Sequence, residues 1–219
     1  MKLIENDVDL GVSTLSKEFA NGSFTHTIFV MLAQREPTEH ELLLFERMLI
    51  LMVDHGPNTN SSMVARTVAS TKVPLNNAVS AGLLSMGSKH GGAGADLVPI
   101  LQDFSEDTVR QCIEEKRMPG FGHRHYKTGD PRVKLMVEYM TDIGYESKHL
   151  QYAQRVEELF EEVKGKRIHL NIDGMLAVLL ADWNIDAVHG FSLFMISRMT
   201  GLVCQSVDAR GQGMIRNKE

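Results

Sequence analysis

Little in this sequence suits a secreted or membrane-bound protein. Its 219 residues include two cysteines, Cys112 and Cys204, far apart and without CxxC or Cys/His ligand spacing. That argues against a disulfide framework or zinc module and fits a reduced, cytoplasmic setting. No run of about 18 apolar residues occurs, the length read as a membrane-spanning helix, so no membrane partner is expected. The opening MKLIENDVDLGVS carries acids where a signal peptide would be apolar. Net charge is -5, and the basic residues are spread rather than massed, which argues against nucleic acid as a partner. Also missing are GxxxxGK(S/T) for a phosphate loop, GxSxG for a nucleophile elbow and HExxH for a metalloprotease.

What is present is helical periodicity. After Pro37, Thr38 is followed three residues later by Glu41, a capping box. Leu42, Phe45, Met48, Leu49, Met52 and Val53 then recur at helical spacing, and the helix should end near His55-Gly56-Pro57. Ser23 is placed to cap FTHTIFVMLAQ, Pro74 to open PLNNAVSAGLLSMG, Ser105 to cap EDTVRQCIEEKR and Asp130-Pro131 to start RVKLMVEYMTDIG. HLQYAQRVEELFEEVKG carries Val156, Leu159, Phe160 and Val163 on one stripe. RIHLNID alone has strand character, whereas GMLAVLLADW and GFSLFMISRMTGLVCQSVD are apolar enough to be helices buried on most sides. The expected class is all-α. A chain this size buries roughly 70% of its unfolded surface, so its core needs no covalent staple.

Four segments combine glycine with polar residues where helices should start or stop: DHGPNTNSS, SKHGGAGAD, PGFGHRHYKTGDPR and HLNIDG. Glycine there allows close approach of a ligand to the backbone and leaves helix-end N–H groups free for anions. His26, His40, His149, His169 and His189 read as ordinary surface or core residues. His55, His90 and His123 differ, because each adjoins glycine or a glycine-rich turn. His123 and His125 with His55 or Asp173 would make a metal set, but HxH without a third spaced ligand is weak. GFGHRHYK could cradle the phosphates of an adenine-bearing ligand through turn N–H groups with Arg124 or Lys127. Neither cysteine sits in a polar turn, so acid–base chemistry by histidines and one aspartate remains.

These residues resemble the citrate synthase superfamily, and most closely its citryl-CoA lyase branch with the corresponding module of ATP-citrate lyase. PGFGHRHYKTGDPR is similar to the signature loop, DHGPNTNSS and SKHGGAGAD to two histidine segments, and NIDG to the segment of the catalytic carboxylate. The resemblance implies a large helical domain from residues 1–91 and 176–219 and a smaller CoA-binding one from 92–175. It implies His90, His123 and Asp173 as catalytic: His90 on the thioester oxygen, Asp173 moving the proton at the acetyl carbon, and His123 taking the citryl hydroxyl proton during cleavage. His55, Arg132, Arg198 and Arg216 would hold the carboxylate substrate. Gly120, Phe121, Gly122, Arg124 and Lys127 would hold CoA. His90 is synthase-like, whereas glycine after Asp173 leans toward the lyase.

The activity so implied is cleavage of citryl-CoA to acetyl-CoA and oxaloacetate. Citrate synthesis and a non-catalytic CoA- or carboxylate-binding subunit are the alternatives. The CoA thioester would be substrate or product, with no permanently bound cofactor and no metal. A homodimer or larger homo-oligomer is expected. FVMLAQ and GLLSMG could supply its interface, although ordinary core packing is the simpler account of both.

Overall fold

The computed structural model describes residues 22–88 and 90–215. Among these residues the chain forms ten helices: α1 Phe24–Ala33, α2 Glu39–Met52, α3 Asn60–Ser70, α4 Leu75–Leu84, α5 Ala93–Gln102, α6 Glu106–Glu114, α7 Pro131–Asp142, α8 Lys148–Lys164, α9 Ile172–Asp182 and α10 Val188–Gly211. No strand occurs among them. The class is all-α, as the periodicity requires.

Capping chemistry sets several boundaries. Ser23 accepts the His26 N–H at the start of α1. Thr38 and Glu41 form the reciprocal capping box of α2, and Asp130 accepts the Arg132 N–H at the start of α7. Caps of this kind are typically worth ~1 kcal/mol. Three boundaries differ from expectation. α2 stops at Met52, where the C-cap Val53 N–H donates to the Ile50 carbonyl in a tightened last turn. Pro74 is the N-cap rather than the first helical residue. Ser105 occupies the N-cap of α6 without a side-chain hydrogen bond to it.

α9 is the central element, with every residue from Gly174 to Ala181 buried. Around it stand Phe29 of α1, Phe45 of α2, Leu97 and Leu101 of α5, and Met136 and Met140 of α7. Phe29 meets Phe45 and Trp183 edge-on at 5.3 and 5.9 Å between centroids. Fully burying one such leucine or phenylalanine gains about 1.5–3 kcal/mol. This core draws on both segments that the resemblance assigns to separate domains. A smaller cluster of Val109, Ile113, Val156 and Leu159 joins α6 to α8. Alanines pack α3 and α4 against α10, with Ala69, Ala78 and Ala209 at zero exposure.

Two expectations are corrected. The strand-like RIHLNID is not a strand. Its Leu170 makes an isolated bridge with Phe121, Gly122 N–H donates to the His169 carbonyl at 2.7 Å, and Asn171 N–H donates to Gly120 at 3.0 Å. From Ile172 the chain is already helical, because Asn171 caps α9 through the Gly174 N–H. The extended part of the segment, His169 to Asn171, therefore makes one short pairing against a loop. α10 is also not buried on most sides. It buries Leu193, Phe194, Arg198 and Leu202 but exposes Met199, Val203 and Val207, four residues apart along one face.

Candidate active site

A cleft of about 330 Å³ collects His55, His90, His123, Arg132, Asp173 and Arg198 from six separate parts of the chain. Its walls come largely from helix beginnings. Asn60 opens α3, Gly91 precedes α5, Arg132 is the second residue of α7, and Ile172 and Asp173 open α9. The positive ends of four helices thus converge on one space, an arrangement that attracts anions.

Close backbone approach makes this geometry possible. The Asp173-bearing turn lies directly on the signature loop, because Gly120 and Gly174 have no side chains. A Cβ on Gly174 would stand 2.5 Å from Leu170 Cδ1 and closer still to the Gly120 carbonyl oxygen. Gly91, at φ +86°, lets the His90 turn lie against the Phe194 ring.

Asp173 has its carboxyl pKa raised by burial, against the pull of Arg132, Arg198 and the Gly91 N–H. Burial likewise lowers the three histidines. His55 falls to about 4, with the cations Arg132 and Arg198 adding to the effect. His90 and His123 are lowered in the same direction. Near neutral pH the cleft therefore offers uncharged imidazoles, two guanidiniums, and a carboxyl whose pKa burial raises above its ordinary value.

Two hydrogen-bond arrangements constrain where the histidine protons sit. His123 Nδ1 accepts the backbone N–H groups of His125 and Tyr126, both at 3.1 Å. Neutral His123 must then carry its proton on Nε2. Tyr126 stacks on its ring with centroids 4.6 Å apart. His90 Nε2 lies 2.9 Å from the hydroxyl of fully buried Ser61. If Ser61 donates, Nδ1 of His90 keeps the proton.

Arg198 is buried along α10, donates Nε–H to the Met52 carbonyl at 2.9 Å, and covers the Phe194 ring at 4.8 Å. Its Nη1 is buried without a partner, a free donor for an oxygen-rich ligand. Arg132 pairs with buried Asp130 at 2.7 Å.

Gly122 and Arg124 also line the cleft. Lys127 is exposed nearby and donates Nζ–H to the His123 carbonyl at 3.0 Å. Gly120 and Phe121 do not line this space: Gly120 packs on Gly174, and Phe121 packs against Phe160 at 5.7 Å. Their contribution to this space is to the fold that shapes it, and a part in holding CoA is a proposal for them. His125 approaches His123 with ring centroids at 5.9 Å, but among the described residues no three of His, Cys, Asp or Glu are grouped to hold a metal ion. Arg216 lies outside the described residues.

Sequence reasoning missed Asn58, Thr59, Asn60 and Phe194 in the cleft lining. Phe194 had a usable signal, one helical turn before Arg198. The other three fall in DHGPNTNSS, a segment recognised for its histidine alone.

A carboxyl whose pKa is raised by burial, neutral imidazoles and two guanidiniums describe a site for moving a proton beside carboxylates. Comparison with known proteins places that site in a family. The family described as citrate synthase, C-terminal domain, matches residues 9–218, and the chain belongs to it. Its fold matches citryl-CoA lyase from Hydrogenobacter thermophilus with a TM-score of 0.84 and 35% identity, covering 91% of this chain and 80% of that one. Citrate synthase 2 of Bacillus subtilis is 31% identical over 176 residues, 76% of this chain and 46% of that protein. ATP citrate lyase from Methanothrix soehngenii, solved with citrate and coenzyme A, shares the fold with a TM-score of 0.81 at 23% identity, covering 94% of this chain and 37% of that one. The chain spans half or less of the length of the curated relatives it matches first. Among the described residues no helix is long and apolar enough to cross a membrane.

Proposed function

We propose that this member of the citrate synthase family is a citryl-CoA lyase that cleaves citryl-CoA to acetyl-CoA and oxaloacetate. The observation that carries this reading is Asp173, a carboxyl whose pKa is raised by burial among two guanidiniums and three imidazoles. Cleavage begins with such an acid protonated. The similarity to the Hydrogenobacter thermophilus citryl-CoA lyase supports the same direction.

In the cleavage step His123 donates its Nε2 proton in a hydrogen bond to the citryl hydroxyl oxygen. With Nδ1 already accepting two N–H groups, His123 has no lone pair for the hydroxyl proton. We therefore assign His123 as a donor here, where the resemblance implied that it takes that proton. The proton passes instead to His55, which is neutral near pH 7 and sits edge-on to His123 at 5.4 Å. The carbon–carbon bond breaks, its electron pair moves to the acetyl carbon and onto the thioester oxygen, and His90 Nδ1–H stabilises that oxygen. Asp173 then delivers its proton to the carbon. Positioned proton transfer contributes about 10²–10⁴-fold, and one donor to a developing oxyanion about 10²–10³-fold.

Arg132 and Arg198 take the carboxylates, whose planar shape matches the guanidinium fork. Arg124 and Lys127 take the CoA phosphates from the exposed side of the loop. The smaller domain at 92–175 closes over CoA. Two copies associate through the exposed row Met199, Val203 and Val207 of α10, and the protein acts in the cytoplasm, where its free Cys112 and Cys204 stay reduced.

Citrate synthesis is the second reading, favoured by curated relatives named citrate synthase at 31% and 30% identity. Purified protein supplied with citryl-CoA separates the two. The lyase yields oxaloacetate and acetyl-CoA without free thiol, whereas citrate and free CoA without oxaloacetate would overturn the first reading.

A further inference from the structure

We propose that Asp130 is a positioning residue of this site, one buried carboxylate that both aims Arg132 at the substrate and anchors the helix end carrying Asp173. The proposal rests on the functional reading above for the roles of Arg132 and Asp173. Its own basis is the hydrogen-bond geometry of a side chain with 0% exposure.

Both oxygens of Asp130 are used twice. Oδ1 accepts the Arg132 backbone N–H and Arg132 Nε–H, each at 3.0 Å. Oδ2 accepts Arg132 Nη2–H at 2.7 Å and the Ile172 backbone N–H at 3.2 Å. The first bond caps α7. The last satisfies the first helical N–H of α9, one residue before Asp173.

The two guanidinium bonds occupy the Nε/Nη2 edge of Arg132. A guanidinium presents its donors in a rigid planar fork, so fixing that edge also fixes the direction of the remaining Nη1/Nη2 edge. Arg132 lines the cleft with 13% exposure of its side chain, and the remaining edge is the one left for a substrate carboxylate. A single group thus sets the distance between the carboxylate clamp and the acid–base residue. Lysine at 132 would not serve, because one ammonium cannot hold Asp130 side-on and present a second flat edge.

Asp130→Asn removes this function with little change of volume. Whichever way the amide turns, its NH2 faces N–H donors of Arg132 or Ile172. Misplacement of reacting groups by about 1 Å costs on the order of 10²-fold, so the variant should lose about that much kcat/KM, with a raised KM for oxaloacetate in the condensation direction. The charges acting on Asp173 are Arg132 from α7, Arg198 from α10 and Asp130 itself, with the Gly91 N–H from the turn before α5. Because Asp130 pushes the Asp173 pKa upward, its neutralisation should also move that ionisation in the pH–rate profile to lower pH.

The test is a double-mutant cycle of Asp130→Asn and Arg132→Lys, read as oxaloacetate KM, kcat and pH profile, with melting temperature recorded for each variant. The expected result is strongly non-additive effects on KM and a shifted profile. Additive effects, or a profile that overlays wild type, overturn the proposal even if stability falls. Asp130→Glu keeps the charge and carries the test should the asparagine variant not fold. Its extra methylene should raise oxaloacetate KM while leaving the pH profile in place, and a wild-type KM overturns the proposal. A wild-type protein that converts neither citryl-CoA nor acetyl-CoA with oxaloacetate overturns the functional reading instead.

Discussion

Gly174→Ala tests whether turnover depends on the contact between the signature loop and α9. The added Cβ would stand 2.5 Å from Leu170 Cδ1 and nearer still to the backbone oxygen of Gly120, where ordinary contact begins at 3.4 Å. Backbone cannot rotate aside as a side-chain tip can, so loop and helix must part by about 1 Å. Overpacking of this kind costs about 1–3 kcal/mol, and each kcal/mol lowers the melting temperature by roughly 2–4 °C in a domain of 150–250 residues. The same separation moves Asp173 away from His123, which predicts a loss of about 10²-fold in kcat. Gly211→Ala is the control, since its Cβ would meet nothing within 4 Å. Citryl-CoA cleavage should be measured at a temperature where both variants are fully folded. A Gly174→Ala protein with wild-type kcat would refute the idea that this glycine pair sets the catalytic geometry.

Replacing Asp173 with asparagine should lower kcat by about 10²–10⁴-fold, and turnover near wild type would sink the mechanism. The same change should stabilise the fold near neutral pH. A carboxyl whose folded pKa is raised binds more protons folded than unfolded, so its charge costs stability once pH exceeds both values. The melting-temperature gain should therefore be absent at low pH, grow as pH rises from the ordinary carboxylate pKa through the raised one and stay constant above it, and a gain independent of pH would contradict it. Asp173 gives up one proton in cleavage while His55 gains one, so the two directions use the same total protonation of the site, and kcat/KM for cleavage and for condensation should follow parallel pH profiles. Profiles that move in opposite directions would exclude this proton pair. Val203→Glu in the exposed row of α10 should halve the mass seen by light scattering, and an unchanged mass removes that face as the contact between copies.

The helices were legible where sequence carries local chemistry. Thr38 with Glu41, Ser23, and Asp130 before Pro131 each fix a helix start through one or two short-range hydrogen bonds, and such bonds depend on neighbours along the chain. RIHLNID, which has strand character over too few residues to decide, was illegible for the converse reason. Its extended backbone finds partners about 50 residues away, at Gly120 and Gly122, and no local pattern announces that pairing. The outer face of α10 was misjudged because composition shows how apolar a helix is but not how many sides have neighbours. Within the cleft, a titratable side chain beside glycine announces itself, whereas Asn58 and Asn60 look like ordinary loop polarity until the start of α3 is seen to face Arg198 across the same space.

The glycines and the charges of the site answer one physical problem. Two guanidiniums placed together repel each other, and burial removes the water that would screen them. Asp130 offsets this at Arg132, whereas Arg198 has the Phe194 ring and a backbone carbonyl but no carboxylate hydrogen bond of its own. Its guanidinium pKa is accordingly lowered, by burial first and then by Arg132. The cleft is therefore electropositive at the Arg198 side, where Nη1 is buried without a protein partner. A bound carboxylate completes it, so substrate binding should stabilise the fold more than the same contacts would on a neutral surface. That difference follows from the fold itself: close glycine packing brings the helix ends near enough to create a positive field that a carboxylate ligand relieves.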